Sequence, residues 1–190
     1  MSIRFLLVSP VLVLALTACA EAPALPPPLY PVPSVTLVSD AGRSFPLDSL
    51  DGKVAIYDFI FTRCGATCPM MTRAMARLTT EFDDEAPVRF VSVTVDPAYD
   101  TPEVLRTYAA PHRTDDRWVF LTGEREDVIG LSVDGFKLAA GVPQEGAEPI
   151  LHSTKFVLVD PEGNVRGYYE SGDRESMRQL VEHARALFPD

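Results

Sequence analysis

A chain of 190 residues, 46% hydrophobic and 23% charged, has the size and composition of one globular domain with room for a real core. Its formal net charge of -10 argues against a nucleic-acid partner, because the phosphate backbone would be repelled.

In chain order, Arg4 comes first and supplies a short positive region. The apolar run Phe5–Leu16 follows, too short for an ordinary membrane span. Leu16-Thr17-Ala18-Cys19 then resembles a bacterial lipobox, which makes residues 1–18 a lipoprotein signal peptide and Cys19 the lipidated first residue of the mature chain. A plain secretory signal cut near Ala20, or an uncleaved anchor, are the alternatives; each of them exports the protein. Residues 20–34 carry six prolines, so 19–34 is expected to be the lipidated cysteine plus an extended tether.

The globular domain is expected over residues 35–190. Val35–Val38 and Ser44–Leu47 are short strands joined by a turn. Val54–Phe61 is nearly all apolar, as a central strand covered on both faces should be. Pro69 suits a first helical position, and Met71, Ala74, Met75, Leu78 and Phe82 follow the spacing of a buried helix face. Arg89–Val95 is a strand. Thr101 caps a helix that has Pro102 in its first turn. Trp118–Gly123 is a strand, Glu124–Leu131 a helix, and Lys137–Ile150 a loop. Lys155–Asp160 and Asn164–Glu170 form a hairpin about a Pro-Glu-Gly turn, and Asp173–Phe188 is the final helix. This order predicts a three-layer α/β sandwich with a mixed sheet. It resembles the thioredoxin fold with an N-terminal hairpin and an inserted helix.

The chain has three cysteines. With Cys19 blocked by lipid, Cys64 and Cys68 are the two thiols left in an oxidising compartment. Cys64 follows the buried strand and Cys68 begins the next helix. Helix N–H groups and the helix dipole there favour a thiolate at Cys64. A helical i, i+4 spacing puts the two Cβ atoms about 5–6 Å apart, a little wide for a disulfide. The extra residue relative to C-x-x-C leaves space between the sulfurs, and two thiolates suit a soft monovalent metal such as Cu(I). A plain disulfide would close only a small loop and remove little unfolded-state entropy. Structural zinc would need four ligands from two thiols and three histidines.

Among the histidines, His112 reads as a solvated helix end and His183 as a solvent-facing residue of the last helix. His152 stands just before the Lys155–Asp160 strand, which in a thioredoxin-like fold passes the cysteine loop. It is either a third, imidazole ligand or a histidine bonded to loop backbone.

The segments FTRCGATCPMMT, VTVDPAYDTPEVLRTYA and LHSTKFVLVDPEGNVRGYY are similar to the signature segments of the SCO/SenC family, over about Val35–Phe188. The resemblance implies a membrane-tethered, thioredoxin-like copper protein of the cell envelope. It implies one copper per domain, Cu(I) or Cu(II), held by Cys64, Cys68 and His152. It implies a role in building the Cu-A centre of cytochrome c oxidase subunit II, by delivering copper from a periplasmic donor, by reducing the target's cysteines, or both. Many family members carry proline and an acidic residue between the cysteines, where this chain has Gly65, Ala66 and Thr67.

Asp58 lies six residues before Cys64 in the apolar strand, the offset at which thioredoxin carries its buried aspartate. Buried, it would have a raised pKa and act as a general base for thiol–disulfide exchange; hydrated or paired with arginine, it would not. Asp96 reads as a weak outer metal ligand or as a cap at the strand end. Met71 fits the core stripe. Two functions remain: a copper metallochaperone, and a thiol–disulfide reductase in which Cys64 attacks and Cys68 resolves.

Overall fold

The computed structural model describes residues 24–65, 67–113, 116–138 and 153–189. Within them runs an eight-stranded mixed sheet. Its strands are β1 (Tyr30–Pro31), β2 (Thr36–Ser39), β3 (Ser44–Pro46), β4 (Val54–Ile60), β5 (Val88–Thr94), β6 (Trp118–Thr122), β7 (Lys155–Val159) and β8 (Asn164–Glu170). Four α-helices accompany it: α1 (Thr67–Thr79), α2 (Pro102–Ala109), α3 (Arg125–Gly130) and α4 (Arg174–Ala186).

The spatial order is β1-β8-β7-β4-β5-β6-β2-β3. The pairs β4–β5 and β5–β6 are parallel and the remaining pairs antiparallel. The thioredoxin-like α/β sandwich with a mixed sheet is therefore what the chain forms. β4 is central and every one of its residues is buried, which explains its apolar run. Its two faces differ by the period of a strand. Tyr57 and Phe59 pack on Phe136, which follows a π-helical turn at Leu131–Gly135 after α3. Ile56, Asp58 and Ile60 point the other way. Phe82, just after α1, meets Phe188, just after α4, and Tyr108 of α2 bonds Thr72 of α1, so α1 neighbours both helices.

Thr101 caps its helix as the sequence places it: its Oγ1 accepts from Val104 N. Asp173, expected as the first residue of the last helix, is its cap instead, with its carboxylate accepting from Ser176 N. Gly163, at φ +79°, makes the left-handed turn of the β7–β8 hairpin.

Three other expectations shift. The tether joins the sheet earlier than residue 35: β1 pairs with β8, Leu29 N donates to Val165 O, Val32 N donates to Gly163 O, and Arg166 Nε donates to Pro26 O. A proline on an edge strand costs no ladder bond when its missing N–H would face outward, so a proline-rich segment can still add a strand. The first long helix begins at Thr67, so Pro69 is its third residue and not its first. His183 does not face solvent alone: its Nδ1 meets the Tyr169 hydroxyl at 2.7 Å, and burial lowers its pKa.

Candidate metal centre and thiol pair

β4 ends against the helix that carries the second cysteine. Cys64 is half-buried and Cys68 fully buried; both carry thiols in the structure. Backbone donors point at each sulfur: Phe61 N–H donates to Cys68 Sγ at 3.5 Å, and Cys68 N–H donates to Cys64 Sγ at 3.3 Å. The Cys64 sulfur thus takes one of the N–H groups that the first turn of α1 leaves unpaired. The Phe61 N–H so placed favours thiolate at Cys68. At Cys68 the opposing effect is larger. Burial pushes its thiol well above the ordinary range, the Phe61 N–H offsets a part, and Cys64 and Asp58 add to the rise.

The first turn of α1 is pinned from α2. Thr72 Oγ1 donates its one proton to Cys68 O at 2.8 Å, so at 2.7 Å it must accept from the Tyr108 hydroxyl. Burial pushes the Tyr108 phenol up to about 12; the Thr72 bond lowers it, and the charges of Cys68, Asp58 and Cys64 raise it. Tyr108 therefore shares the electrostatic field of the thiol pair.

Asp58 is fully buried on that same side of β4, and neither carboxylate oxygen finds a hydrogen-bond partner. Burial pushes its pKa up to about 7. Ser92 stands opposite it in the β4–β5 register and accepts the Trp118 indole N–H at 3.0 Å. It lies near enough to Asp58 to soften the rise, though outside bonding geometry.

Asp96 is engaged elsewhere: its Oδ2 accepts from Arg63 Nε at 3.1 Å and Nη2 at 2.5 Å, and its N–H donates to Thr94 Oγ1. Among the described residues no three His, Cys, Asp or Glu side chains gather to hold a metal. His152 and Cys19 lie outside the described residues. The described chain resumes at Ser153, and β7 pairs antiparallel with β4 through Tyr57↔Val157, so the start of β7 lies at the end of the sheet where β4 exits toward Cys64. Met71 is buried as expected, Met70 is exposed, and the His112 ring lies tilted against Tyr108 at 5.8 Å. A groove of about 580 Å³ between α1 and α4 reaches neither cysteine.

Sequence reading missed Asp100, Thr62, Thr72 and Tyr108. Nothing in the spacing separates Asp100 from Asp96, and threonines two residues before and four after a cysteine carry no pattern of their own.

The SCO1/SenC family model matches residues 31–188. The SCO1 protein homolog of Bacillus subtilis is 32% identical over 176 residues, covering 91% of each chain. Among solved structures, a SCO1/SenC family lipoprotein from Bacillus anthracis superposes with a TM-score of 0.78 at 32% identity, over 87% of this chain and all of its own. BsSco, a Sco-family cytochrome c oxidase assembly protein with an identified disulfide switch, gives 0.71 at 29% identity, over 86% of this chain and 97% of its own. Bradyrhizobium japonicum ScoI with copper bound gives 0.68 over 80% and 98% of the two chains; at 21% identity this is a likeness of fold.

Proposed function

The chain belongs to the SCO1/SenC family, and from that premise we propose that it carries one copper ion between Cys64, Cys68 and His152 and serves assembly of the Cu-A centre in cytochrome c oxidase subunit II. The observation that carries this reading is the thiol pair itself: a half-exposed Cys64 in front of a buried Cys68, each sulfur met by a backbone N–H. The donor set fits the cargo. Two sulfurs and an imidazole suit Cu(I), whereas the hard carboxylate of Asp96 is bound to Arg63 and is left outside the set. Ligand sulfurs must be deprotonated, so the raised Cys68 thiol makes copper uptake proton-releasing and weaker at low pH. Partial exposure of Cys64 supports hand-over by ligand exchange with a periplasmic donor and with the oxidase. The resemblance of Leu16–Cys19 to a lipobox supports a location in the cell envelope, with the chain anchored through Cys19 after loss of residues 1–18 and facing the periplasm or outer side. The tether then runs only to about Leu29, where the sheet begins.

The test is an anaerobic Cu(I) titration of the reduced mature chain with Cys19→Ser, against a calibrated competitor. One tight copper per chain is expected, and His152→Ala should weaken it far more than His112→Ala. Equal effects would remove His152 from the ligand set; no tight binding would end the copper reading.

A second reading is favoured by Asp58. In thiol–disulfide exchange the Cys64 thiolate attacks a partner disulfide, forming a mixed disulfide and releasing one partner thiolate. Cys68 then attacks Cys64 Sγ, releasing the second partner thiol and closing a Cys64–Cys68 disulfide, with two electrons passed to the partner. Cys68 must lose a proton to do so, and a buried carboxyl with a pKa near 7 is suited to take it. Asp58→Asn is expected to slow disulfide reduction while copper stoichiometry stays at one.

A further inference from the structure

The loop between β5 and α2 carries two carboxylates, and each holds a different residue of the segment leading into Cys64. Asp100 is fully buried. Its Oδ2 accepts the Thr62 N–H at 3.1 Å and the Thr94 hydroxyl at 2.5 Å, and its Oδ1 accepts the Thr62 hydroxyl at 2.5 Å. Asp96 holds Arg63, whose guanidinium lies 4.3 Å over the Tyr99 ring. The two arms differ in their surroundings. Asp96 is buried too, but the side chain of its partner Arg63 is 55% exposed, so water reaches this ion pair and weakens it. The Asp100 carboxylate is fully buried although Thr62 is only half-buried, and charge-assisted hydrogen bonds to a buried carboxylate are strong and costly to break.

Cys68 is fixed separately, by α1, by the core and by the Thr72 bond to its carbonyl. Between the two cysteines, Gly65 has open space where a Cβ would stand, so packing does not hold the loop there. On its N-terminal side Cys64 is tied by its own N–H to Phe61 O at 3.2 Å and, through Thr62, to Asp100.

We infer that Asp100 is a positioning residue for the thiol pair. By accepting both the amide and the hydroxyl of Thr62, it fixes the backbone two residues before Cys64 and keeps the Cys64 sulfur where the Cys68 N–H meets it. This rests on the reading that Cys64 and Cys68 act as a pair, in copper binding or in disulfide closure. Either event is favoured when the loop is ordered beforehand, because less freedom is lost when the sulfurs are joined.

Thr62→Val tests it, since valine keeps the shape and the amide bond and removes only the hydroxyl arm. It should weaken Cu(I) binding about tenfold, the low end of what outer-shell changes do to metal affinity. It should also raise the reduction potential of the Cys64–Cys68 couple by about 30 mV, the equivalent of tenfold in a two-electron couple. Thermal unfolding should fall by about 2–8 °C, because Asp100 Oδ1 loses its donor, while the chain remains folded at the temperature of the assays. Asp100→Asn should shift both quantities further in the same direction, and Arg63→Ala should leave both near their starting values. A Thr62→Val chain that folds normally with unchanged affinity and potential overturns the assignment, as does an Arg63→Ala effect of equal size. If the parent chain takes up no Cu(I), the copper reading falls, and the potential alone decides whether Asp100 positions the pair.

Discussion

On one face of β4, Tyr57 and Phe59 meet the ring of Phe136 at centroid separations of 4.8 and 5.4 Å, in a layer held by packing. On the other face, Asp58 is buried with both oxygens unbonded, opposite Ser92 and in the field of Cys68 and Tyr108. Seven consecutive buried residues thus present two environments, because successive strand side chains point to opposite sides. The apolar face gains its stability without a buried charge. The other accepts an uncompensated carboxyl directly beneath the helix that carries Cys68, a burden that makes sense where proton or metal chemistry is done. Substitutions on the two faces should therefore differ in sign as well as in size.

The largest effect is expected on the apolar face. Phe136 is fully buried, and Phe136→Ala should cost about 3–5 kcal/mol in chemical denaturation. Copper stoichiometry in the surviving folded fraction should remain one. A cost under 1 kcal/mol would mean that the layer behind β4 does not depend on this ring.

Asp58→Asn should go the other way. The carboxyl's pKa is raised from 3.8 to about 7, so the native state binds its proton more tightly than the unfolded state does. The stability linked to that proton is fully present below about pH 4 and is lost as pH rises through about 7. An asparagine, which does not ionise, escapes this loss. The variant should match the parent chain near pH 4 and exceed it at pH 8, by at most about 4 kcal/mol for a shift of this size. Denaturation midpoints of both chains from pH 4 to 8 measure the gap. A gap that does not grow with pH would show that Asp58 stays charged in the fold. In the reductase reading, the more stable chain is also the slower reductant, the usual trade between a strained site and stability.

Much of this contrast was legible beforehand, for physical reasons that can be named. β4 announced itself by a run too apolar for a half-exposed strand, and Asp58 stood out as the one charge within it. The cysteines showed their place through a strand ending and a helix beginning around them. β1 was hidden because an edge strand that borrows its bonds from Leu29 and Val32 needs no alternating or β-branched signal. The arms holding the cysteine loop were hidden for a different reason. Asp96 and Asp100 have the same chemistry in one short loop, and only the fold makes Asp100 a clamp on Thr62 and Asp96 the partner of a half-exposed arginine. The Tyr108–Thr72–Cys68 chain joins two helices and has no local spacing at all.

That chain supplies the smallest effect and the finest test of how the polar face is held. Tyr108→Phe removes the hydroxyl that Thr72 accepts but leaves Thr72 Oγ1 donating to Cys68 O. One neutral hydrogen bond of this kind contributes about 1 kcal/mol, so the variant should lose about that much stability. Its thiol pair should still take up one copper, because the bond that reaches the cysteine survives. Thr72→Val cuts both links and should cost more than Tyr108→Phe. In the double variant the phenylalanine should add almost nothing, since its partner is already gone. If the two losses simply add, Tyr108 stabilises α2 on its own account, and the first turn of α1 is held by the core alone.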